Sequence, residues 1–544
     1  MKRRDIIKSL SLLPLSGIVG TALANSGHNE LLTSRLAGFP SLTADPNIFR
    51  SLGVEPLINC RGTFTIIGGS LERSSVRAAM DAASRNFVQY DELSDGIGKR
   101  LAELTGAPWG MVSAGCAAGL KHITAACVTG GNPEKLIRIP DLTGMEKTEV
   151  IIPAGSRNVY DHAVRNIGVT IITVETMEQL EHSLSAKTAM IYITSEDQGP
   201  FSLEEIAKLV KSRNIPILVD AAAENLTIPN IHLARGATVV AYSGGKALCG
   251  PQCAGLLLGN KAILMSAWQA SSPHHGPGRD NKVGREEMIG MLAAVEAWVS
   301  MDHDAQWKKW LSWLDIIGKK LTTLDGIKAT IHEPKELSNH SPFLVVSWDP
   351  AKLNLTGEEL AEELGRTTPR IAVGSGGKNR KEPGVATSID ITTGQMQPGE
   401  ELVVADRIYA LLTKKRPVQE ALSKAPAANI GGRWDMNIEF FSSTSKHTIY
   451  LEQDGNWLQG THQGDFSIQD LTGTIEGGLV KLKSTARRPG DHITYLFSGT
   501  LAGEEIKGAI YLGEYRTANF TAKRNKTRSM REPINIPSGP PLAT

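Results

Sequence analysis

Apolar residues change their spacing three times along this chain. Between roughly 44 and 298, short β-rich apolar runs alternate with amphipathic helical stretches, the clearest runs being 189–194, 215–219 and 238–241. Between the first two, Leu203, Ile206, Leu209 and Val210 share one face of a helix over 202–213. Ser202, followed by Glu205, reads as the capping box that starts it. Strand, helix and strand at this spacing predict right-handed crossovers and a doubly wound, mostly parallel sheet, so the class is α/β. From 299 to 416, helices mix with strands such as 343–348 and end in a helical run at 400–412, which predicts a smaller α/β domain. Residues 417–430 have no period and read as a linker. From 431 to 525 the period becomes two, in runs at 434–440, 448–453, 458–462, 472–475 and 479–483. Turn signals at Asp454-Gly455, Gly477-Gly478 and Pro489-Gly490-Asp491 separate these runs. They predict an up-and-down β-meander closing into a barrel or sandwich, followed by a tail over 526–544.

Composition narrows the function classes. In 544 residues, 58 Lys and Arg face 57 Asp and Glu, a net charge of +1 that argues against a nucleic-acid binder. A 41% hydrophobic content suits chains that bury several cores. Five cysteines exclude a disulfide scaffold, and Cys249 and Cys253 are spaced neither for a metal pair nor for the redox motif, so the thiols read as structural and no metal site is expected. The N-terminus reads as an address. Arg3-Arg4 precede an apolar run, 10–24, that is too short to span a bilayer and ends in Ala22-Leu23-Ala24. This looks like a twin-arginine export signal over 1–24, which implies a mature chain starting near Asn25 and a periplasmic location. No later run is long and apolar enough to predict a transmembrane segment.

Candidate chemistry gathers at strand ends, where open α/β sheets bind ligands. One strand ends at Asp220, the next at Ser243-Gly244-Gly245-Lys246, and an earlier one runs into Ser113-Ala114-Gly115-Cys116-Ala117 before a helix. Each feature alone is ordinary: a solvated lysine, a helix-capping aspartate, a close-packed turn. Together they meet the needs of pyridoxal 5′-phosphate, which requires a lysine for a Schiff base, an acid beside its pyridinium nitrogen and an anion site for its phosphate. Lys246 supplies the first and Asp220 the second. The N–H groups of Gly115, Cys116 and Ala117, with the Ser243 hydroxyl, supply the third. No dinucleotide or Walker spacing offers a rival nucleotide site.

The run from Tyr242 to Gly255, with its Ser-Gly-Gly-Lys and Gly-Pro-Gln elements, resembles the selenocysteine synthase family (bacterial seryl-tRNA selenium transferase) and its D-glucosaminate-6-phosphate ammonia-lyase type relatives. Ile58-Asn59-Cys60-Arg61-Gly62-Thr63, Gly68-Gly69-Ser70, Leu104-Thr105-Gly106-Ala107 and the run from Lys282 to Glu287 extend the likeness over about 52–412. The resemblance implies the aspartate-aminotransferase fold (fold type I), pyridoxal phosphate, and a homodimer or larger assembly. A neutral chain that looks exported, with little room before 52 for a tRNA-binding domain, fits the ammonia-lyase relatives better than selenium transfer. The expected activity is therefore a lyase on an amino acid or amino-sugar acid. Racemisation, transamination and selenium transfer stay open on the same scaffold. His162 and Gln198 are further candidates for cofactor contact, and Arg61, Arg279, Lys282 and Arg370 for the substrate. The third stretch resembles lipocalin-like β-domains appended to exported bacterial enzymes. Trp434, Trp457 and Tyr511 there offer either core packing or an aromatic face, which keeps a non-enzymatic envelope- or glycan-binding protein as the rival reading.

Overall fold

Three sheets organise the described part of the chain, each with its own buried apolar cluster. The computed structural model describes residues 47–194, 201–377, 384–416 and 424–525; the expected export signal, Gln198, half of the linker and the tail lie outside them. A short strand, β1 (Leu57–Cys60), comes first and belongs to the second sheet. The first sheet holds β2 (Gly110–Ser113), β3 (Glu149–Pro153), β4 (Thr170–Val174), β5 (Thr188–Thr194), β6 (Ile217–Asp220), β7 (Val239–Ser243) and β8 (Gly255–Gly259). Their order is β2-β8-β7-β6-β5-β3-β4. Pairs from β4 to β7 are parallel, whereas β8 runs antiparallel to both its neighbours. Such a sheet is covered on both faces, and β6 and β8 are accordingly buried along their whole length. The helix Leu203–Val210 starts at Ser202, whose hydroxyl accepts from the Glu205 N–H at 3.2 Å.

The second sheet, β1-β11-β12-β10-β9, takes β9 (Lys328–His332), β10 (Phe343–Trp348), β11 (Arg370–Gly377) and β12 (Thr387–Thr392). Parallel pairing of β1 with β11 ties the N-terminal segment into this domain. Its loop 337–339 returns to the first sheet, where Asn225 N–H donates to Leu337 O and Asn339 N–H to Ala223 O. The residues just after Asp220 are thereby bridged to the small domain.

The last eight strands form a closed antiparallel barrel: β13 (Gly432–Glu439), β14 (Thr444–Asp454), β15 (Trp457–Gln463), β16 (Ile468–Glu476), β17 (Leu479–Arg488), β18 (Asp491–Ala502), β19 (Glu505–Tyr511) and β20 (Thr517–Arg524). Each pairs with the next, and β13 closes on β20. Closure removes the edges that an open meander would expose. Alternation separates the three aromatic residues: Trp434 is fully buried, while Trp457 is 70% and Tyr511 54% exposed. No single face joins them, because Leu458 and Ile510, their chain neighbours, take the inward positions. Among the described residues, no helix is long and apolar enough to cross a membrane.

Candidate active site

Asp220 ends β6 and is only 8% exposed. Its Oδ2 accepts from the Tyr192 hydroxyl at 2.8 Å, and its Oδ1 from the Ala222 N–H at 3.1 Å, with Cys116 Sγ 3.7 Å away. Parallel pairing places Tyr192 of β5 opposite Leu218, so both point to the face that Asp220 also uses. Burial, and then the Asp220 charge, push the Tyr192 hydroxyl far up, and burial does the same to the Cys116 thiol, so both remain protonated donors. Burial likewise raises Asp220, an effect opposed by its hydrogen bonds and by the Lys246 charge. A buried carboxylate held only by neutral donors lacks a cationic partner in contact, and a pyridinium N–H supplies one.

Lys246 sits in the turn after β7, fixed by backbone contacts. Gly244 N–H donates to Ala254 O at 2.8 Å, Cys249 N–H to Lys246 O at 3.0 Å, and Gly250 N–H to Gly244 O at 2.8 Å. Ser70 N–H reaches across to Gly245 O at 3.0 Å. The Gln252 amide lies between two glycines: a Cβ on Gly69 would fall 1.9 Å, and one on Gly245 2.0 Å, from Gln252 Oε1. Three separate sequence elements, Gly-Gly-Ser, Ser-Gly-Gly-Lys and Gly-Pro-Gln, thus meet as one clasp around the lysine turn. Lys246 Nζ lies 5.9 Å from the centre of the Tyr160 ring.

Gly115 opens the helix Cys116–Thr129 with φ 85° and no side-chain cap on the first N–H groups. A Cβ on Gly115 would meet nothing within 4 Å, whereas one on Gly255 of β8 would strike Gly115 C at 2.5 Å and Cys116 N at 2.7 Å. The expected Gly115 N–H is not free for a phosphate, because the tight turn spends it on Ser113 O at 2.9 Å, but open space in front of the uncapped N–H groups of Cys116 and Ala117, with Ser113 Oγ bracing Gly115 O at 2.9 Å, suits one. Asp220, Lys246 and this turn therefore fit pyridoxal phosphate. Ser243 is half-buried at the end of β7, its N–H spent on Ala222 O at 3.3 Å.

The remaining expected residues scatter. His162 is exposed at the start of a short helix, and Tyr160, carried by the 3₁₀ turn just before it, is the ring beside the lysine. Arg370 Nη1 donates to Glu55 O at 3.4 Å, serving the β1 junction. Arg279 has a buried Nε without a partner and an Nη1 3.4 Å from Ser272 Oγ, while Lys282 is exposed. Arg61 is exposed over the Phe64 ring and lines a cleft of about 1170 Å³. That cleft flanks the site: Ala223, Asn225, Ala247 and Cys249 line it, but Asp220 and Lys246 do not. Arg73 and Thr392 also line it, and each keeps a buried polar atom unpartnered there. Sequence reasoning passed over Tyr192, Tyr160 and Arg73. A tyrosine inside an apolar strand carries no local sign that its hydroxyl meets a neighbouring strand's aspartate.

No family model matches the chain. It is 30% identical over 332 residues to the D-glucosaminate-6-phosphate ammonia lyase of Salmonella typhimurium (strain 14028s / SGSC 2262), covering 59% of this chain and 87% of that one. A 5′-C-glycyluridine monooxygenase-decarboxylase from Streptomyces sp is 27% identical over 339 residues, 59% of this chain and 83% of that one. The L-seryl-tRNA(Sec) selenium transferase of Proteus mirabilis (strain HI4320) is 24% identical over 289 residues, 45% of this chain and 57% of that one. A solved D-glucosaminate-6-phosphate ammonia-lyase superposes with a TM-score of 0.60 at 26% identity, covering 68% of this chain and 98% of that one.

Proposed function

We propose, for a chain that belongs to the ammonia-lyase and selenocysteine-synthase family of fold type I, pyridoxal-phosphate-dependent enzymes, that it is a lyase eliminating across the Cα–Cβ bond of an amino acid or amino-sugar acid. The observation that carries this reading is the placement of Asp220, Lys246 and the Gly115 turn at the C-terminal ends of β6, β7 and β2, on one edge of the first sheet. Bound there, pyridoxal phosphate supplies a sink for the electron pair left when a proton leaves Cα. Lys246 anchors the aldehyde and then serves as the base that takes this proton. Asp220, oriented by Tyr192 and the Ala222 N–H, keeps the pyridine nitrogen protonated. The N–H groups of Cys116 and Ala117 hold the phosphate, with Ser243 nearby. The Tyr160 ring lies beside the lysine, 5.9 Å from Nζ. Arg61 and Arg73, on the adjoining cleft, take the substrate's acid group. The Cβ hydroxyl leaves with a proton as water, and hydrolysis then releases ammonia and a 2-keto acid.

Selenium transfer is disfavoured by the net charge of +1, which suits a small-molecule substrate better than tRNA. The homo-oligomer and the export to the periplasm by the twin-arginine route belong to the same proposal. A folded, cofactor-loaded protein is the cargo that such a signal implies. The test is turnover with product analysis. Stoichiometric ammonia and 2-keto acid from one enantiopure substrate, lost by about 10³-fold in Lys246→Ala, support the lyase. A D/L mixture without keto acid, or full turnover in Lys246→Ala, overturns it.

A further inference from the structure

Beyond the cofactor site, one contact joins the barrel to the large domain at a charged cluster. Asp161 is fully buried between Arg157 and Arg165, with Arg165 Nε 2.8 Å from its Oδ1. The tip of the β17–β18 hairpin completes this cluster. Asp491 Oδ2 accepts from Arg165 Nη2 at 2.8 Å, and Pro489 O accepts from Arg157 Nη2 at 3.2 Å. Gly490, at φ +85°, lies so close that a Cβ on it would come within 2.9 Å of Asn158 O and 3.0 Å of Asp161 Oδ2. Two aspartates and two arginines thus balance in charge, and only glycine fits between them.

The segment clamped in this way leads to the site in two directions. Tyr160, 51% exposed and with no place in the apolar core, is the residue whose ring lies beside Lys246. Its N–H is held by Asn158 Oδ1 at 2.8 Å, the Asn158 amide donates to Ser156 O at 3.3 Å, and the same side chain is close enough to Tyr192, the donor to Asp220, to offset part of the effect of burial on its hydroxyl. Ser156 Oγ, at the start of the same segment, accepts the Thr194 N–H at 3.1 Å at the end of β5. Residues 154, 155, 159 and 160 are exposed, and besides its charged end the segment is held within the large domain by the fully buried Ser156 and by Arg157 Nη1, which donates to Thr173 Oγ1 at 2.7 Å.

We propose that the 489–491 tip of the barrel is a positioning element of the active site: it fixes the 157–161 turn, and through it Tyr160 beside Lys246 and Asn158 beside the Tyr192–Asp220 pair. The barrel then contributes to the cofactor site without touching the cofactor. This rests on the cofactor site described above. The full-length protein with pyridoxal phosphate is compared with Asp491→Ala, Asp491→Glu and, as a control elsewhere on the barrel surface, Asp435→Ala. Asp491 is one-third exposed, so its loss leaves the barrel core intact. The expected result for Asp491→Ala is faster amide exchange in 156–162, cofactor release accelerated about 3- to 10-fold, and a displaced pH midpoint of the visible band, partly restored by Asp491→Glu. Asp435→Ala should match the wild type in all three. A purely docking role would lower thermal stability yet leave exchange at 156–162, cofactor release and the pH midpoint unchanged, and that result overturns the proposal. A wild-type chain that takes up no pyridoxal phosphate at all removes the cofactor site itself, and this proposal with it.

Discussion

Asp220 illustrates what a single buried group can and cannot show in a sequence. Its place at the end of an apolar run makes it a candidate for facing a ligand only in combination with Lys246 one strand later and the Gly115 turn. Tyr192 escapes that logic because its role exists only once β5 lies beside β6. Removing that donor should raise Asp220 further, since a hydrogen bond that favours the carboxylate is lost. Tyr192→Phe is expected to keep the fold and lower kcat by roughly 3- to 10-fold, whereas Asp220→Asn should lower it by about 10²-fold or more. Steady-state rates at saturating cofactor separate the two. A different buried group governs the barrel. His462 Nδ1 bonds Ser484 Oγ at 2.7 Å and its Nε2 faces His447 Nδ1 at 2.8 Å, with His447 Nε2 3.4 Å from Asp465. Burial, and then His447, push His462 down to about 4 from an ordinary 6.5. The unfolded chain therefore binds a proton that the folded barrel refuses, and stability falls as pH drops from 6.5 towards 4, by up to about 3 kcal/mol. Denaturant midpoints between pH 7 and 4.5 should show this decline, and His462→Gln should flatten it.

At the scale of elements, the lysine turn is a clasp made of three distant sequence motifs. The Gln252 amide occupies the space where Gly69 and Gly245 would carry side chains. Gly245 has an ordinary backbone conformation, so its replacement by alanine tests space alone. Gly245→Ala should destabilise the protein by about 1–3 kcal/mol and weaken cofactor retention, and Gln252→Ala in the same chain should recover part of both. Thermal melts of the cofactor-loaded forms measure it. These motifs were visible as a family likeness, but their mutual contact was not, because contact depends on how the N-terminal segment returns across the sheet. Strand positions were legible to within a few residues: the run at 215–219 is β6 at Ile217–Asp220, and that at 343–348 is β10 itself. In the barrel the five alternating runs mark parts of β13 to β17 and none of β18 to β20. β14 continues outward from 448–453 to Thr444–Asp454, because hydrogen-bonded pairing extends past the last inward-facing residue.

For the whole molecule, α/β class and the folding of the period-two stretch into a barrel or sandwich followed from hydrophobic spacing, since mixed helix and strand spacing and pure alternation demand different ways of burying apolar surface; the structure has the barrel. What spacing could not convey is the contact of the barrel with the large domain, in which Arg157 and Arg165 reach the Pro489 carbonyl and Asp491 more than three hundred residues away. The proposed export predicts that replacing Arg3 and Arg4 together with lysine leaves the full-length protein in the cytoplasm, read by cell fractionation. The proposed assembly predicts a mass of at least two chains in solution, with exposed Phe64, Ile66, Leu71 and Phe87 as the apolar surface available for it. The most direct test of the account is borohydride reduction of the pyridoxal-phosphate-loaded protein, followed by peptide mass mapping. The expected result is loss of the yellow colour and a pyridoxyl group fixed on Lys246. A protein that stays colourless with added cofactor, or an adduct fixed on another lysine, would contradict it.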